Sequence, residues 1–232
     1  MTKNIIIENI GKNTFVYYRN NKKLKTTKGN VIKVLGFDFA KKILNKIEKE
    51  KNIKGSNFLK LFFFSSDLDV KQRCVIKKNI IKYLDTDLVC YRANKGTELE
   101  KMQSKYWDPY IVFCERNFKL NYKKNYTIMP FTQEISNKEK VVKILDNMDK
   151  YTLTAFFFLV EVTNSIIISL NMLYKSVSNN LVWRDCNLED EYNQLKWGID
   201  EDFKKKLLYK KNFFIDIIDY IKIIKFRKNN GK

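Results

Sequence analysis

Aromatic and β-branched runs set off by turn signals open this chain, and helical spacing then takes over. Thr14-Phe15-Val16-Tyr17-Tyr18 is aromatic and β-branched, which is strand composition. Asn20-Asn21 follows, and asparagine tolerates the positive φ of a tight hairpin turn, so Lys23-Leu24-Lys25-Thr26 reads as the returning strand. Residues 31–35 form a further apolar strand after a Gly29-Asn30 turn. A helix is expected over 39–49, where Ala40, Ile43, Leu44 and Ile47 recur at helical spacing and Asp38 is placed to cap it.

From Ser66 onward the spacing is helical. One helix is expected over 70–84, with Ile76, Ile80, Tyr83 and Leu84 on one face, and another over 98–106. Asp108-Pro109 reads as the start of a new helix, since aspartate caps free N–H groups and proline suits the first helical position. Trp107 would then precede the cap and staple onto Val112. Residues 125–137, with Pro130, read as a loop, and 138–149 as a polar helix.

Residues 153–174 are strongly apolar and close to the ~20 residues that span a bilayer. Glu161 and Asn164 lie near the middle of that run, and a central acidic residue costs ~2.5–3.5 kcal/mol on insertion. The run is therefore expected to be a buried helix, or a pair broken near Asn164-Ser165, without stable membrane insertion. Asn187 and Gly198 bracket a further helix, whose expected apolar face is Leu188, Tyr192 and Leu195. Asp190, Asn193 and Trp197 fall on the opposite face, where Trp197 either packs against the next helix or meets a partner. The last helix is expected over 201–227, burying Phe214, Ile217, Ile218, Ile221 and Ile224.

Composition narrows the chemistry. A chain of 232 residues that is 44% hydrophobic and 31% charged can bury a core. The net charge of +19 invites a nucleic-acid reading, and a basic helical nucleic-acid-binding protein is the alternative function. Only six of the 45 basic residues are arginine, however, and bidentate phosphate and base contacts favour arginine. No histidine is present, which removes the commonest general base. Cys74, Cys90, Cys114 and Cys186 form no C-x-x-C pair and read as small buried apolar residues of a reducing compartment. The carboxylates at 189–191 and 200–202 sit at expected helix N-termini and point in different directions, so they serve the macrodipole better than a metal or a reaction.

The most distinctive stretch is Thr86-Asp87-Leu88-Val89-Cys90-Tyr91-Arg92-Ala93, followed by Gln103 and Trp107-Asp108-Pro109. With Asp67 and Tyr83 before it and Gln133 and Ser165 after it, this stretch resembles the signature of the ATP synthase assembly factor two family, the Atp-twelve type chaperones. In a late family motif, an acidic residue, a glutamine and then Trp-Gly, the places hold Asp190, Asn193 and Trp197-Gly198, with the usual Glu and Gln shortened to Asp and Asn. The N-terminal third departs from the family. Asn20-Asn21-Lys22 stands for a D-G-R hairpin, Lys25-Thr26-Thr27 for K-T-P, and Lys46-Ile47 for a Glu-Trp pair. Residues 58–64 form an unrelated aromatic stretch where the family has M-P-L-T.

The resemblance implies an α+β fold, with a small strand-rich domain carrying a helix (1–65) followed by a larger orthogonal bundle of helices (66–232). It also implies a non-enzymatic chaperone without cofactor or metal, which transiently shields the unassembled α subunit of F-type ATP synthase. The residues it points to for partner contact are Tyr91, Arg92, Gln103, Trp107, Asp108, Asp190, Asn193 and Trp197. The expected setting is a monomer in a bacterial cytoplasm, or alternatively the mitochondrial matrix, with no nucleic-acid partner.

Overall fold

The computed structural model describes residues 5–49, 55–175, 177–198 and 200–230. It is an α+β structure, with strands at the start and helices through the rest of the chain. Strand β1 (Ile5–Asn9) pairs antiparallel with β2 (Thr14–Arg19), Ile7 opposite Tyr17. On its other side β2 meets β3 (Lys22–Lys23) and β4 (Lys33–Leu35), Phe15 opposite Val34. Asn20 and Asn21 both take positive φ, 50° and 58°, as the hairpin between β2 and β3 requires. The returning strand is shorter than expected. After Leu24 donates to the Tyr17 carbonyl, the chain leaves the sheet for a local turn closed by Thr26 N–H to the Asn30 carbonyl at 2.8 Å. Strand β1 has no strong alternation, since only Ile5 in it is buried, so its pattern gave no strand signal.

Helix α1 (Phe37–Lys49) buries Phe39, Ala40, Ile43 and Ile47. Tyr17 donates its hydroxyl to the Ala40 carbonyl at 2.9 Å, which fixes helix to sheet. Asp38 sits inside the first turn rather than at the cap, because Gly36 (φ 90°) turns the chain and offers its carbonyl to Ala40 N–H. The aromatic stretch becomes helix α2 (Asn57–Asp67), capped by Ser56, whose side chain accepts from Leu59 N–H. Asp67 accepts from Thr26 Oγ1 at 2.7 Å and Asn30 Nδ2 at 2.8 Å, anchoring the turn after β3.

The chain forms two compact units. One takes residues up to 70, 149–155 and those from 215 on; the other takes 71–148 and 156–214. The first has an aromatic core in which Phe62 stacks on Tyr151 (ring centroids 6.3 Å apart), Phe39 meets the same ring edge-on, and Phe58 meets Tyr220.

The second unit is helical. Helix α3 (Val70–Lys82) buries Ile76 and Ile80 and stops two residues before the expected end, with Leu84 buried in the turn that follows. Helix α4 (Glu98–Phe118) corrects the reading of Trp107-Asp108-Pro109. It runs straight through Pro109, so Asp108 caps nothing and Trp107 lies in the core instead of stapling a new helix. An interior proline forfeits one backbone hydrogen bond, at a typical cost of ~3 kcal/mol. The contacts of Trp107 and Asp108 described below offset that cost.

Helix α5 (Ile135–Asp146) begins three residues earlier than expected. The apolar run divides into α6 (Lys150–Thr163) and α7 (Ile166–Tyr174), broken where Asn164 takes φ 52° and Ser165 caps α7 by accepting from Ile168 N–H. Every residue of α7 from Ile166 to Leu173 is buried, as expected for the central helix of a bundle. No described helix is long and apolar enough to cross a membrane.

Helix α8 (Asn179–Cys186) had no sequence signal of its own, and Asn187 joins it to α9 (Leu188–Trp197). Asn187 holds the expected cap position, but its amide donates to the Trp183 carbonyl instead of capping α9. The expected apolar face of α9 is not buried. Leu188 is covered, whereas Leu195 is 86% and Trp197 85% exposed, so Trp197 does not pack on the next helix. Helix α10 (Glu201–Asn230) buries all five residues of its expected stripe. Cys90, Cys114 and Cys186 are buried as expected, but Cys74 is exposed on α3, which packs through its isoleucine face.

Candidate functional site

The signature stretch between α3 and α4 is held by a polar framework inside the second unit. Asp87 is fully buried, and its carboxylate accepts from Ser165 Oγ (2.6 Å), Ile166 N–H (2.7 Å), Ile167 N–H (3.1 Å) and Val89 N–H (3.3 Å). It therefore caps α7 from outside that helix, while Leu88 N–H donates to the Asn164 carbonyl. Burial pushes the Asp87 carboxyl up to about 6, against the pull of these donors.

After the 3-10 turn Leu88–Cys90, residues 90–92 run beside Asn125: Arg92 N–H donates to the Asn125 carbonyl and Asn125 N–H to the Cys90 carbonyl. The Arg92 side chain turns inward. Its Nε donates to the Val89 carbonyl at 2.8 Å, its Nη2 pairs with Asp108 at 2.8 Å, and its guanidinium lies 5.2 Å from the Trp107 ring centre. Lys124 holds the other Asp108 oxygen at 2.7 Å. Trp107 is fully buried and donates its indole N–H to the Asp185 carbonyl at 2.7 Å. Tyr110, one turn on, donates to the Asp185 carboxylate at 2.7 Å. Gln103, also fully buried, accepts from Ala93 N–H and donates to Glu189 at 2.6 Å, linking the motif to α9. Burial raises the Glu189 carboxyl, with the Gln103 hydrogen bond opposing.

Above this framework lies a cleft of about 560 Å³, lined in part by Tyr91, Leu99, Tyr126, Tyr192 and Asn193. Tyr91 leans on Phe131 edge-to-face and donates its hydroxyl to the Asp85 carbonyl. Arg92 and Glu189 reach the cleft from below.

Residues 6–115 match the family model of the ATP12 chaperone protein. The match spans just under half of the chain. The chain is thus similar to the ATP12 chaperones, as a divergent sequence. Its fold is that of Atp12 from Paracoccus denitrificans, at a TM-score of 0.84 and 16% identity, covering 94% of this chain and 95% of that one. The Atu1473 protein of Agrobacterium tumefaciens has the same fold, at a TM-score of 0.85 and 17% identity, covering 97% of this chain and 85% of that one. The lipoprotein-releasing system transmembrane protein LolC of Buchnera aphidicola subsp. Schizaphis graminum is 28% identical over 162 residues, 69% of this chain. The chain spans only 37% of the length of LolC.

Of the residues first singled out, the structure gathers Tyr91, Arg92 and Asn193 at one cleft. Gln103, Trp107 and the Arg92 side chain lie in the interior with their polar atoms engaged, and Asp108 is the partly exposed end of a charge chain. Asp190 is half-buried in the first turn of α9, and Trp197 stands at the far end of that helix. Three features were not singled out from sequence. Asp185 is the acceptor for Trp107 and Tyr110, and nothing in its local sequence announces that. Asp87 was seen only as part of the motif. Ile128-Met129, in contrast, left a readable signal as an apolar pair inside a polar loop.

Proposed function

We propose that this chain is a non-enzymatic assembly chaperone that binds the unassembled α subunit of F-type ATP synthase. The observation that carries the reading is the family match over residues 6–115, supported by a fold shared almost end to end with Atp12 of Paracoccus denitrificans. The α subunit would bury an apolar surface against this chaperone until its β partner arrives. Exposed apolar and aromatic side chains on the helical unit, Leu195 and Trp197 on α9 and Leu208 and Tyr209 on α10, offer the kind of surface such a client needs. Tyr91, Asp190, Asn193 and Trp197 are the client contacts in this reading, with Arg92, Gln103, Trp107 and Asp108 fixing the surface from beneath. The complex is transient, the chaperone monomeric, and the setting a bacterial cytoplasm.

Co-expression with the α subunit from the same genome tests this. Soluble α should rise and a complex should co-purify; neither happening removes the reading. The net charge of +19 keeps a nucleic-acid-binding role as the second reading. That role predicts micromolar or tighter binding to duplex or RNA, with affinity falling steeply as salt rises.

A further inference from the structure

Helix α4 carries Gln103, Trp107 and Tyr110 at spacings of four and three residues, so the three side chains share one face. All three bond to the segment that leads into α9. Trp107 donates to the Asp185 carbonyl and Tyr110 to the Asp185 carboxylate, both at 2.7 Å. Arg184 holds the other oxygen of that carboxylate at 2.6 Å and lies 4.0 Å from the Tyr106 ring centre, so the end of α8 is fixed against α4. Four residues beyond Asp185, Glu189 accepts from Gln103 at 2.6 Å.

Past that point α9 is held lightly. Among its described residues only Leu188 is buried. Its bonds from Tyr192 to Glu98 (3.2 Å) and from Lys196 to Glu98 (4.0 Å) are exposed, and exposed pairs of this kind contribute little. Gln103 is fully buried, so breaking its bond would leave a polar group out of reach of water. The same amide also ties down the signature loop, because its oxygen accepts from Ala93 N–H at 2.8 Å. The loop offers a donor and α9 an acceptor, and a primary amide presents one of each from a single planar group. Glutamate would accept on both sides and face a second carboxylate, and leucine would make neither bond. The two elements joined in this way share one surface: Tyr91 of the loop and Asn193 of α9 line the same cleft, with Glu189 at its base.

We infer that Gln103 and Glu189 are a positioning pair, which through one buried amide sets Tyr91 on the signature loop at a fixed offset from Asp190, Asn193 and Trp197 on α9. Both elements then meet the client as one surface. The inference rests on the assembly-chaperone reading and names the device that aligns its contact residues. It is tested by co-expressing the α subunit with the wild-type chain, with Gln103→Glu, with Glu189→Ala, and with the exchange Gln103→Glu plus Glu189→Gln. Captured α is expressed per folded chain, the folded fraction being read from thermal unfolding. Gln103→Glu opposes two carboxylates and should lower capture about tenfold or more. The exchange again sets an amide against a carboxylate and keeps an acceptor for Ala93 N–H, so capture should return to within about threefold of wild type. Glu189→Ala, at a half-buried position, should also lower capture, and it decides the matter if Gln103→Glu does not fold. A pair that only stabilises the fold would lower the unfolding temperature and leave capture per folded chain unchanged. That result, or an exchange that fails to recover, would overturn the positioning pair and leave the chaperone reading standing. No capture by the wild type would overturn both.

Discussion

Arg92 illustrates why residue chemistry matters in this molecule. Its side chain has no solvent exposure, and one planar guanidinium satisfies the Val89 carbonyl, Asp108 and the Trp107 face together. A lysine has the charge but neither the fork nor the flat face. Arg92→Lys is expected to cost on the order of 2–4 kcal/mol in urea unfolding, since it leaves part of a buried polar set unpaired. Asp87 makes a second residue-scale prediction, and its sign is opposite to that of a salt-bridged carboxylate. Its folded pKa is raised from 3.8 to about 6, so the folded state holds this proton more tightly than the unfolded chain does. The stability that this group contributes is full below about pH 4 and is lost as pH rises through about 6, a swing of about 3 kcal/mol. Asp87→Asn should remove that slope from unfolding free energies measured between pH 4 and 7. It should also lower stability at pH 7, because an amide cannot accept from all four donors.

At the scale of elements, propensity decided where packing did not compete. The stripe of α10 and the hairpin turn at Asn20-Asn21 were legible because period and turn chemistry are local properties. The break between α6 and α7 was legible too, because asparagine is one of the few residues that takes a positive φ cheaply. Helix α4 went the other way. Its proline lies well inside the helix, flanked by long-range bonds from Trp107 to Asp185 and from Asp108 to Arg92 and Lys124 before it, and from Tyr110 to Asp185 after it. Pro109→Ala would restore an N–H to the interior of the helix. It is expected to raise stability by about 1–2 kcal/mol, less than the full interior-proline cost because the unfolded chain also gains freedom. Thermal unfolding measures this, and a loss of stability would mean that the proline itself supports the turn it occupies. The apolar face expected of α9 failed for a related reason. Spacing says which residues share a face, but not whether anything covers it, and on that face Leu188 is buried while Leu195 is uncovered.

For the whole molecule, the surface charge and the proposed client contact separate into two behaviours. A net charge of +19 will hold the chain on heparin or bulk RNA at low salt through counterion release. That retention should vanish by roughly 0.5 M salt, while a complex held by apolar anchors should persist, because screening acts on exposed charges. Gel filtration of the co-purified complex across that range checks it, and dissociation in step with the heparin elution would favour the charge-driven reading. The sequence by itself determined the α+β class with strands ahead of helices, the family resemblance and the lack of histidine, because composition, period and motif are properties of the chain as written. Tertiary structure alone decided which signature residues are framework and which are surface. Arg92, Gln103 and Trp107 are as polar or aromatic as any contact residue, and only partners distant in the chain, such as Asp185 and Glu189, draw them inside. It likewise decided that Ile128 and Met129 stand in solvent, because their exposure follows from how Asn125 and Thr127 close the loop beneath them.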